Sequence, residues 1–297
     1  MPAAARTVRT GDGRDLDVLV GGADPGSAAV TVVMHHGTPS DATCWTDWSD
    51  AAADRDALLV SVSRPGYATS TRQPGRSVAS CADDVVEVLD SLGVDDFVTA
   101  GWSGGGPHAL ACAALLPGRC RAVATLAGVG PFVVEDLDFL AGMGPENVEE
   151  FGAALEGEPA LRAWLATNGE AFRHVTGEQI AAAFGGLVPQ ADKDVLVGGY
   201  ADSMAAVDRR ALQHGFDGWV DDDLAFSRDW GFDLADISLE VTVWQGDLDL
   251  MVPREHGEWL VAHLPRARAV APQGHGHISL VTDHREQILD SLLAAAR

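Results

Sequence analysis

The chain has 297 residues, of which 44 are acidic and 20 basic, and its formal net charge is −24. Such a surface repels nucleic acid and anionic membranes, which excludes both as expected partners. No apolar run approaches the roughly 20 residues that cross a bilayer, and charged residues from Arg6 onward interrupt any apolar centre of a signal peptide. We therefore expect a cytoplasmic location.

The first part of the chain alternates predicted strands and helices. An Asp-Gly turn within residues 6–20 separates two alternating runs and predicts a β-hairpin at a sheet edge. Near-continuous apolar runs at 28–34 and 57–63 predict strands buried on both faces, as in a parallel sheet. Segments 46–56 and 80–92 have helical patterns.

Residues 97–116 predict a strand, a very tight turn and a helix. The turn carries Gly-x-Ser-x-Gly at residues 101–105, which places Ser103 in a strained conformation that lifts its hydroxyl clear of the sheet. A further strand is predicted at 121–126. This strand and helix alternation predicts a doubly wound, mostly parallel sheet with right-handed crossovers.

The alternation stops after residue 131. Residues 132–236, called the cap segment below, contain no convincing buried strand and predict helices at about 145–156, 159–173, 177–185 and 192–213. We expect this segment to lie over the C-terminal edge of the sheet, where open α/β sheets bind ligands. Trp164 and Trp219 are its candidate pocket residues, and residues 1–131 with 237–297 are expected to form the core domain.

The sheet resumes with predicted strands at 239–244 and 267–271, and helices are predicted at 254–264 and about 284–296. Acidic residues follow the first of these strands and histidines follow the second, namely Asp247, Asp249, His275 and His277. The carboxyl ends of parallel strands meet at one edge, so these side chains can converge with Ser103. A serine hydroxyl needs a base, and the base needs an acid that fixes its tautomer.

The chain resembles the α/β-hydrolase superfamily over essentially its whole length. The motifs that carry the resemblance are His36-Gly37, Arg-Pro-Gly-Tyr at 64–67, the Gly-x-Ser-x-Gly turn, Gly-x-x-Asp at 246–249 and Gly-His at 276–277. The resemblance implies an eight-stranded sheet with a helical cap, and a Ser-Asp-His triad that needs neither a cofactor nor a metal ion. Arg64 is expected to hold its loop through hydrogen bonds to the backbone.

The resemblance also selects among the candidates. The superfamily pattern Gly-x-x-Asp-x-x-Val-Pro fits Asp249 as the acid better than Asp247. Gly-His followed by small or apolar residues fits His277 as the base, with His275 as the alternative.

Stabilisation of an oxyanion requires two backbone donors, which the resemblance places at the N–H groups of Thr38 and Gly104. His36 is a candidate pocket residue, although it fits a structural brace of its turn better than a proton donor. Trp102 is expected beside the pocket.

These features predict a serine hydrolase that cleaves a carboxylic ester of a small molecule through an acyl-enzyme. The alternatives are an aminopeptidase of the proline-iminopeptidase type, a lactonase, and a non-catalytic ligand receptor on the same fold. The aminopeptidase would need acidic cap residues for the substrate amine, and Glu146, Glu149, Glu150 and residues 221–223 are available. A charge run such as 221–223 is, however, more typical of a solvated face.

Overall fold

One sheet of eight strands runs through the computed structural model, which describes residues 1–296. The strands are β1 (Ala4–Arg9), β2 (Asp15–Gly22), β3 (Val30–His35), β4 (Ala57–Val62), β5 (Phe97–Trp102), β6 (Cys120–Leu126), β7 (Val241–Trp244) and β8 (Ala267–Val270). Their order is β1-β2-β4-β3-β5-β6-β7-β8. Strand β2 pairs antiparallel with both neighbours, whereas the remaining pairs are parallel. The predicted mostly parallel eight-stranded sheet is confirmed.

Helices cover both faces of this sheet. The α-helices are α1 (Ser49–Ala53), α2 (Cys81–Leu92), α3 (Gly105–Leu115), α4 (Pro145–Glu156), α5 (Glu158–Asn168), α6 (Ile180–Ala183), α7 (Gln190–Val195), α8 (Gly198–Ala211), α9 (Asp217–Phe226), α10 (Arg254–His263), α11 (His277–Asp283) and α12 (Arg285–Ala295). Alternate residues of β3 show the division. Val33 belongs to the apolar cluster that includes residues of α2, α3 and α10, whereas Val32 and Met34 belong to the cluster that includes residues of α1 and α12. This two-sided burial explains the continuous apolar runs of the strands. Within residues 1–296, no helix combines the length and apolar character that spanning a bilayer requires.

Several predicted helix boundaries are wrong. The segment predicted as one helix at 46–56 is a 3₁₀ helix, Ala42–Trp48, followed by the short α1. The helix predicted at 192–213 is two helices, because Gly198, the first residue of α8, takes a φ of +54° that breaks the helix. The helix predicted at 177–185 is only the four residues of α6, and α5 ends at Asn168.

Helix α9 has no counterpart among the helices predicted from the sequence, and its acidic residues are buried. Asp221, Asp222 and Asp223 are 2%, 0% and 1% exposed, so the expectation of a solvated face is wrong. Consecutive residues of a helix point in different directions, so three acidic residues in a row normally face water on at least one side. Helix α9 is instead packed on nearly all sides. Arg72 pairs with Asp221, and Arg64 and Arg76 pair with Asp222, which makes the burial of these two charges tolerable.

Candidate active site

The predicted nucleophile lies at a sharp turn between β5 and α3. Ser103 has a φ of +55°, in the left-handed region that non-glycine residues rarely adopt. Glycine is required on both sides, since a Cβ on Gly101 would lie 2.0 Å from the Gly105 carbonyl oxygen. A Cβ on Gly105 would in turn lie 2.3 Å from the carbonyl oxygen of His35 in the adjacent strand. The Gly-x-Ser-x-Gly spacing is thus dictated by the closeness of strand and helix.

The predicted acid and base are in direct contact. His277 Nδ1 lies 2.7 Å from Asp249 Oδ2, and both side chains are almost fully buried. The other carboxylate oxygen, Oδ1, accepts hydrogen bonds from the backbone N–H groups of Met251 and Val252 at 2.9 and 2.8 Å. These donors fix the carboxylate, and the carboxylate occupies Nδ1, so Nε2 is the histidine nitrogen that remains to exchange a proton.

The alternative acid and base have other partners. Asp247 accepts from the backbone N–H of Gly274 at 2.6 Å and so tethers the loop that precedes the histidines. The His275 ring lies 3.2 Å from His284 Nε2 and 3.5 Å from Asp283. Within residues 1–296, the side chains of Asp247 and His275 form no hydrogen bond with Asp249 or His277. The geometry therefore favours Asp249 as the acid and His277 as the base.

The two predicted oxyanion donors are neighbours. A Cβ on Gly104 would lie only 2.5 Å from Thr38 Oγ1. The backbone N–H groups of Thr38 and Gly104 donate to no other group within residues 1–296. Both residues border the space beside Ser103. Two unpaired N–H groups beside the predicted nucleophile are the arrangement that binding of a developing oxyanion requires.

A buried ion cluster holds the turn that carries Thr38, and its centre is Asp222, for which the sequence pattern predicts a solvated position. The carboxylate of Asp222 accepts from Thr38 Oγ1 at 2.6 Å, from Tyr67 at 2.9 Å, and from Arg64 and Arg76 at 2.7 and 2.6 Å. Burial alone would raise the pKa of the Asp222 carboxyl, but the charges of Arg64 and Arg76 hold that pKa well below its usual range. A carboxylate of the cap segment thereby fixes the turn that carries Thr38, which is called the oxyanion turn below for the role predicted for Thr38.

Arg64 also bonds the backbone, as the sequence led us to expect. Its guanidinium donates to the carbonyl oxygens of His36 and Gly37 at 2.5 and 2.7 Å. The His36 ring is fully buried, and its Nε2 accepts from the Arg64 backbone N–H at 3.0 Å. His36 lines neither cavity described below, so its predicted place in the pocket is corrected.

A second carboxylate of the cap segment holds the loop of the predicted base. Asp192, in α7, is fully buried and accepts from the backbone N–H groups of His277, Ile278 and Ser279 at 2.9, 3.1 and 2.8 Å. It therefore caps helix α11, whose first residue is His277. No local pattern could have revealed it, because Asp192 lies 85 residues from His277 in the chain.

Substitution of Asp192 tests this positioning role. We expect Asp192→Ala to lower kcat for ester hydrolysis at least about tenfold with little change in KM, and to cost about 1–3 kcal/mol of stability. Asp194→Ala, an exposed position of the same helix, is the matched control. Steady-state kinetics and urea denaturation measure both effects, and an unchanged kcat in a destabilised variant would reduce Asp192 to a purely structural residue.

Two cavities meet at Ser103. The first, the histidine cavity, has a volume of about 300 Å³ and is lined by His277 and Trp102. The second cavity has a volume of about 220 Å³ and is called the glutamate cavity, because Glu146, Glu149 and Glu150 line it. Trp164, Trp219 and Gly104 line it as well. Thr38 and Ser103 belong to both, which places the predicted nucleophile at the junction.

The predicted tryptophans therefore all lie around these cavities. Trp102 stacks near the His277 ring, with centroids 5.4 Å apart, and its Nε1 donates to the His277 carbonyl oxygen. Trp219 Nε1 donates to Glu150 at 2.5 Å and Trp164 Nε1 to Glu149 at 3.4 Å. Among residues 1–296, no cluster of His, Cys, Asp and Glu has the composition of a metal site.

Comparison with known proteins identifies the family. The profile of the family described as "alpha/beta hydrolase fold" matches residues 30–283, most of the chain. The chain belongs to the α/β-hydrolase fold family. As an α/β-hydrolase it carries Ser103 at the turn after β5 and His277 and Asp249 after later strands.

Relatives of this α/β-hydrolase have several activities in their names. Epoxide hydrolase B of Mycobacterium tuberculosis is 29% identical in an alignment 164 positions long, which covers 48% of this chain and 46% of that protein. The match thus spans less than half the length of this relative. An esterase from Exiguobacterium antarcticum superposes with a TM-score of 0.69 at 19% identity over 99% of both chains. A bromoperoxidase from Bacillus anthracis superposes with a TM-score of 0.70 at 20% identity, over 98% of this chain and 99% of that one. At such identities these structures support the fold alone.

Proposed function

We propose that this α/β-hydrolase cleaves carboxylic esters of small molecules through a serine acyl-enzyme. The observation that carries the proposal is the 2.7 Å contact between His277 and Asp249 beside the cavity that Ser103 also lines. Ser103 Oγ attacks the carbonyl carbon while His277 Nε2 takes its proton, and Thr38 and Gly104 bind the oxyanion. The C–O bond to the alcohol then breaks, and His277 protonates the leaving oxygen. Water repeats the cycle on the acyl-enzyme and releases the acid.

The two cavities suggest separate places for the two halves of the ester. The leaving alcohol must lie within hydrogen-bond reach of the base that protonates it, and His277 lines only the histidine cavity. Gly104, an oxyanion donor, lines only the glutamate cavity. We therefore assign the alcohol to the histidine cavity and the acyl group to the glutamate cavity.

Epoxide opening, the reaction in the name of the mycobacterial relative, fits this nucleophile poorly. Attack of a serine oxygen on an epoxide carbon would form an ether, which has no carbonyl for water to attack. A carboxylate nucleophile would instead form an ester, which water can cleave. Ser103 therefore favours a substrate that already contains an acyl carbon.

An aminopeptidase of the iminopeptidase type is the second candidate, supported by the composition of the glutamate cavity. Glu146, Glu149, Glu150 and Asp223 line it. Burial raises the pKa of Glu150 to about 7 and that of Asp223 well above its usual range, and the nearby Glu150 raises the pKa of Asp223 further. An ammonium group entering the cavity would favour the ionised form of this pair. An aminoacyl group in the glutamate cavity would thus have its amine beside carboxylates.

A matched substrate panel separates these candidates. We expect hydrolysis of p-nitrophenyl butyrate with an initial burst of p-nitrophenol, little turnover of prolyl and alanyl p-nitroanilides, and no consumption of styrene oxide. The burst reflects accumulation of the acyl-enzyme, which intact-protein mass spectrometry should detect as a butyryl adduct. Faster turnover of the aminoacyl anilides than of the ester would favour the aminopeptidase, and stoichiometric fluorophosphonate labelling without turnover of any substrate would favour a receptor.

A further inference from the structure

The histidine cavity has a polar wall that the proposed ester chemistry does not use. This wall is formed by α8 and the 3₁₀ segment Ala42–Trp48, which contribute Asp208, Tyr200, Ser203 and Cys44. Met251 and Ile278 add apolar surface to the same cavity. The cavity thus combines apolar contacts with a small number of polar side chains, as small-molecule sites commonly do.

Asp208 is the unusual member of this wall. The residue is 4% exposed, yet its carboxyl forms no hydrogen bond and no ion pair with any group of residues 1–296, and its Oδ2 is buried without a partner. By contrast, the buried carboxylates of Asp192 and Asp222 each accept several hydrogen bonds. A buried polar group without a partner costs about 1–3 kcal/mol, so a ligand that supplies the partner gains affinity.

The surroundings of Asp208 disfavour its anionic form. Burial raises the pKa of its carboxyl well above the usual range, and the nearby negative charge of Asp41 raises it further. Arg209 opposes the shift, but its side chain donates to the carbonyl oxygen of Val175. Arg210 lines the same cavity, but its guanidinium is already paired with Asp17 and Asp41 at 2.7 and 2.9 Å. A neutral carboxyl can both donate and accept a hydrogen bond, which an ionised one cannot.

We propose that Asp208 is a specificity-determining residue of the histidine cavity, where it hydrogen-bonds an uncharged polar group, such as a hydroxyl, on the leaving alcohol. The proposal rests on the ester hydrolysis and on the assignment of the alcohol to this cavity. It makes the substrates esters of alcohols that carry a second, neutral hydrogen-bonding group. Esters whose alcohol ends in a carboxylate are disfavoured, because Asp47 lines the same cavity and the arginine that lines it, Arg210, is already paired with Asp17 and Asp41.

The test uses acetate esters of four matched alcohols that differ only at the far end: 1,6-hexanediol, heptan-1-ol, 6-aminohexan-1-ol and 6-hydroxyhexanoate. We expect wild-type kcat/KM to be about tenfold higher for the hydroxyl-terminated ester than for the methyl-terminated one, and lowest for the carboxylate. Asp208→Asn, which keeps a donor and an acceptor, should retain the hydroxyl preference, whereas Asp208→Leu should abolish it. Asp202→Asn and Asp202→Leu, at an exposed position of α8, are the matched controls. Preferences are compared as ratios within each variant, so a general loss of activity cancels.

Binding of free 1,6-hexanediol and heptan-1-ol, followed by calorimetry in wild type and both Asp208 variants, provides a readout that does not require turnover. Tighter binding of the diol than of heptan-1-ol that disappears in Asp208→Leu supports the subsite, whether or not the acetates are hydrolysed. Absence of acetate hydrolysis would refute only the ester hydrolysis. A preference for the ammonium-terminated ester that Asp208→Asn removes would overturn the proposal in favour of an ionised, cation-binding carboxylate. Equal kcat/KM for all four ends would also overturn it, while leaving the ester hydrolysis intact.

Discussion

Substitution of Ser103 by alanine is expected to lower kcat for p-nitrophenyl butyrate hydrolysis by ~10³–10⁶-fold, the range seen when one member of a catalytic triad is removed. The acyl-enzyme route is closed without Oγ, whereas the N–H groups of Thr38 and Gly104 remain to stabilise an oxyanion. The residual rate should therefore stay above that of the uncatalysed reaction. Burst amplitude and fluorophosphonate labelling should both disappear in the variant.

The fold should survive this substitution. Alanine has the same Cβ as serine, so the φ of +55° at residue 103 is no more strained in the variant, and Ser103 contributes only backbone hydrogen bonds to the turn. We expect the thermal midpoint to change by no more than a few degrees. Ser91→Ala, on the exposed surface of α2, is the control and should keep full activity. Undiminished ester turnover in a folded Ser103→Ala variant would refute the proposed mechanism.

The sheet and the positions of the candidate site follow from short patterns in the sequence. Each apolar run of the sequence indicates a buried strand. The closeness of β5 and α3 makes both glycines of the turn obligatory, so the turn that carries Ser103 can be located without knowledge of the rest of the fold. The candidates Asp247, Asp249, His275 and His277 follow strands of a parallel sheet, and the carboxyl ends of such strands share one edge. The choice of Asp249 and His277 among them rests on the resemblance to the α/β-hydrolase superfamily.

The residues that hold the site in place could not be found in this way. Asp222 pairs with Arg64 across 158 positions of the chain, and Asp192 caps the helix of His277 across 85. Each acidic residue lies in a part of the cap segment whose local pattern indicates a solvated surface. Their burial depends on partners that only the tertiary structure brings near. Strand ends and motifs therefore indicate the candidate reacting groups, whereas the carboxylates that orient their loops are recognisable only in the tertiary structure.

Asp222→Ala is expected to cause the largest loss of stability, about 3–5 kcal/mol, because it leaves the buried charges of Arg64 and Arg76 without their shared counterion. Asp202→Ala, on the exposed side of α8, is the control and should change the free energy of unfolding by less than about 0.5 kcal/mol. Urea denaturation at pH 7 measures both. Thr38 Oγ1 also loses its carboxylate partner, so the oxyanion turn should loosen and kcat should fall in any folded fraction.

The pH dependence and a double substitution identify the cause of that loss. The pKa of Asp222 is lower in the folded protein than in the unfolded chain, so its contribution is fully present above about pH 4 and declines as the pH falls toward the folded-state value. The stability difference between wild type and Asp222→Ala should therefore narrow at acidic pH. Arg76→Met combined with Asp222→Ala should cost less than the sum of the two single substitutions, because it removes one of the charges left unpaired. Strictly additive costs would mean that Asp222 stabilises the fold by packing alone, and that its charge does not connect the cap segment to the oxyanion turn.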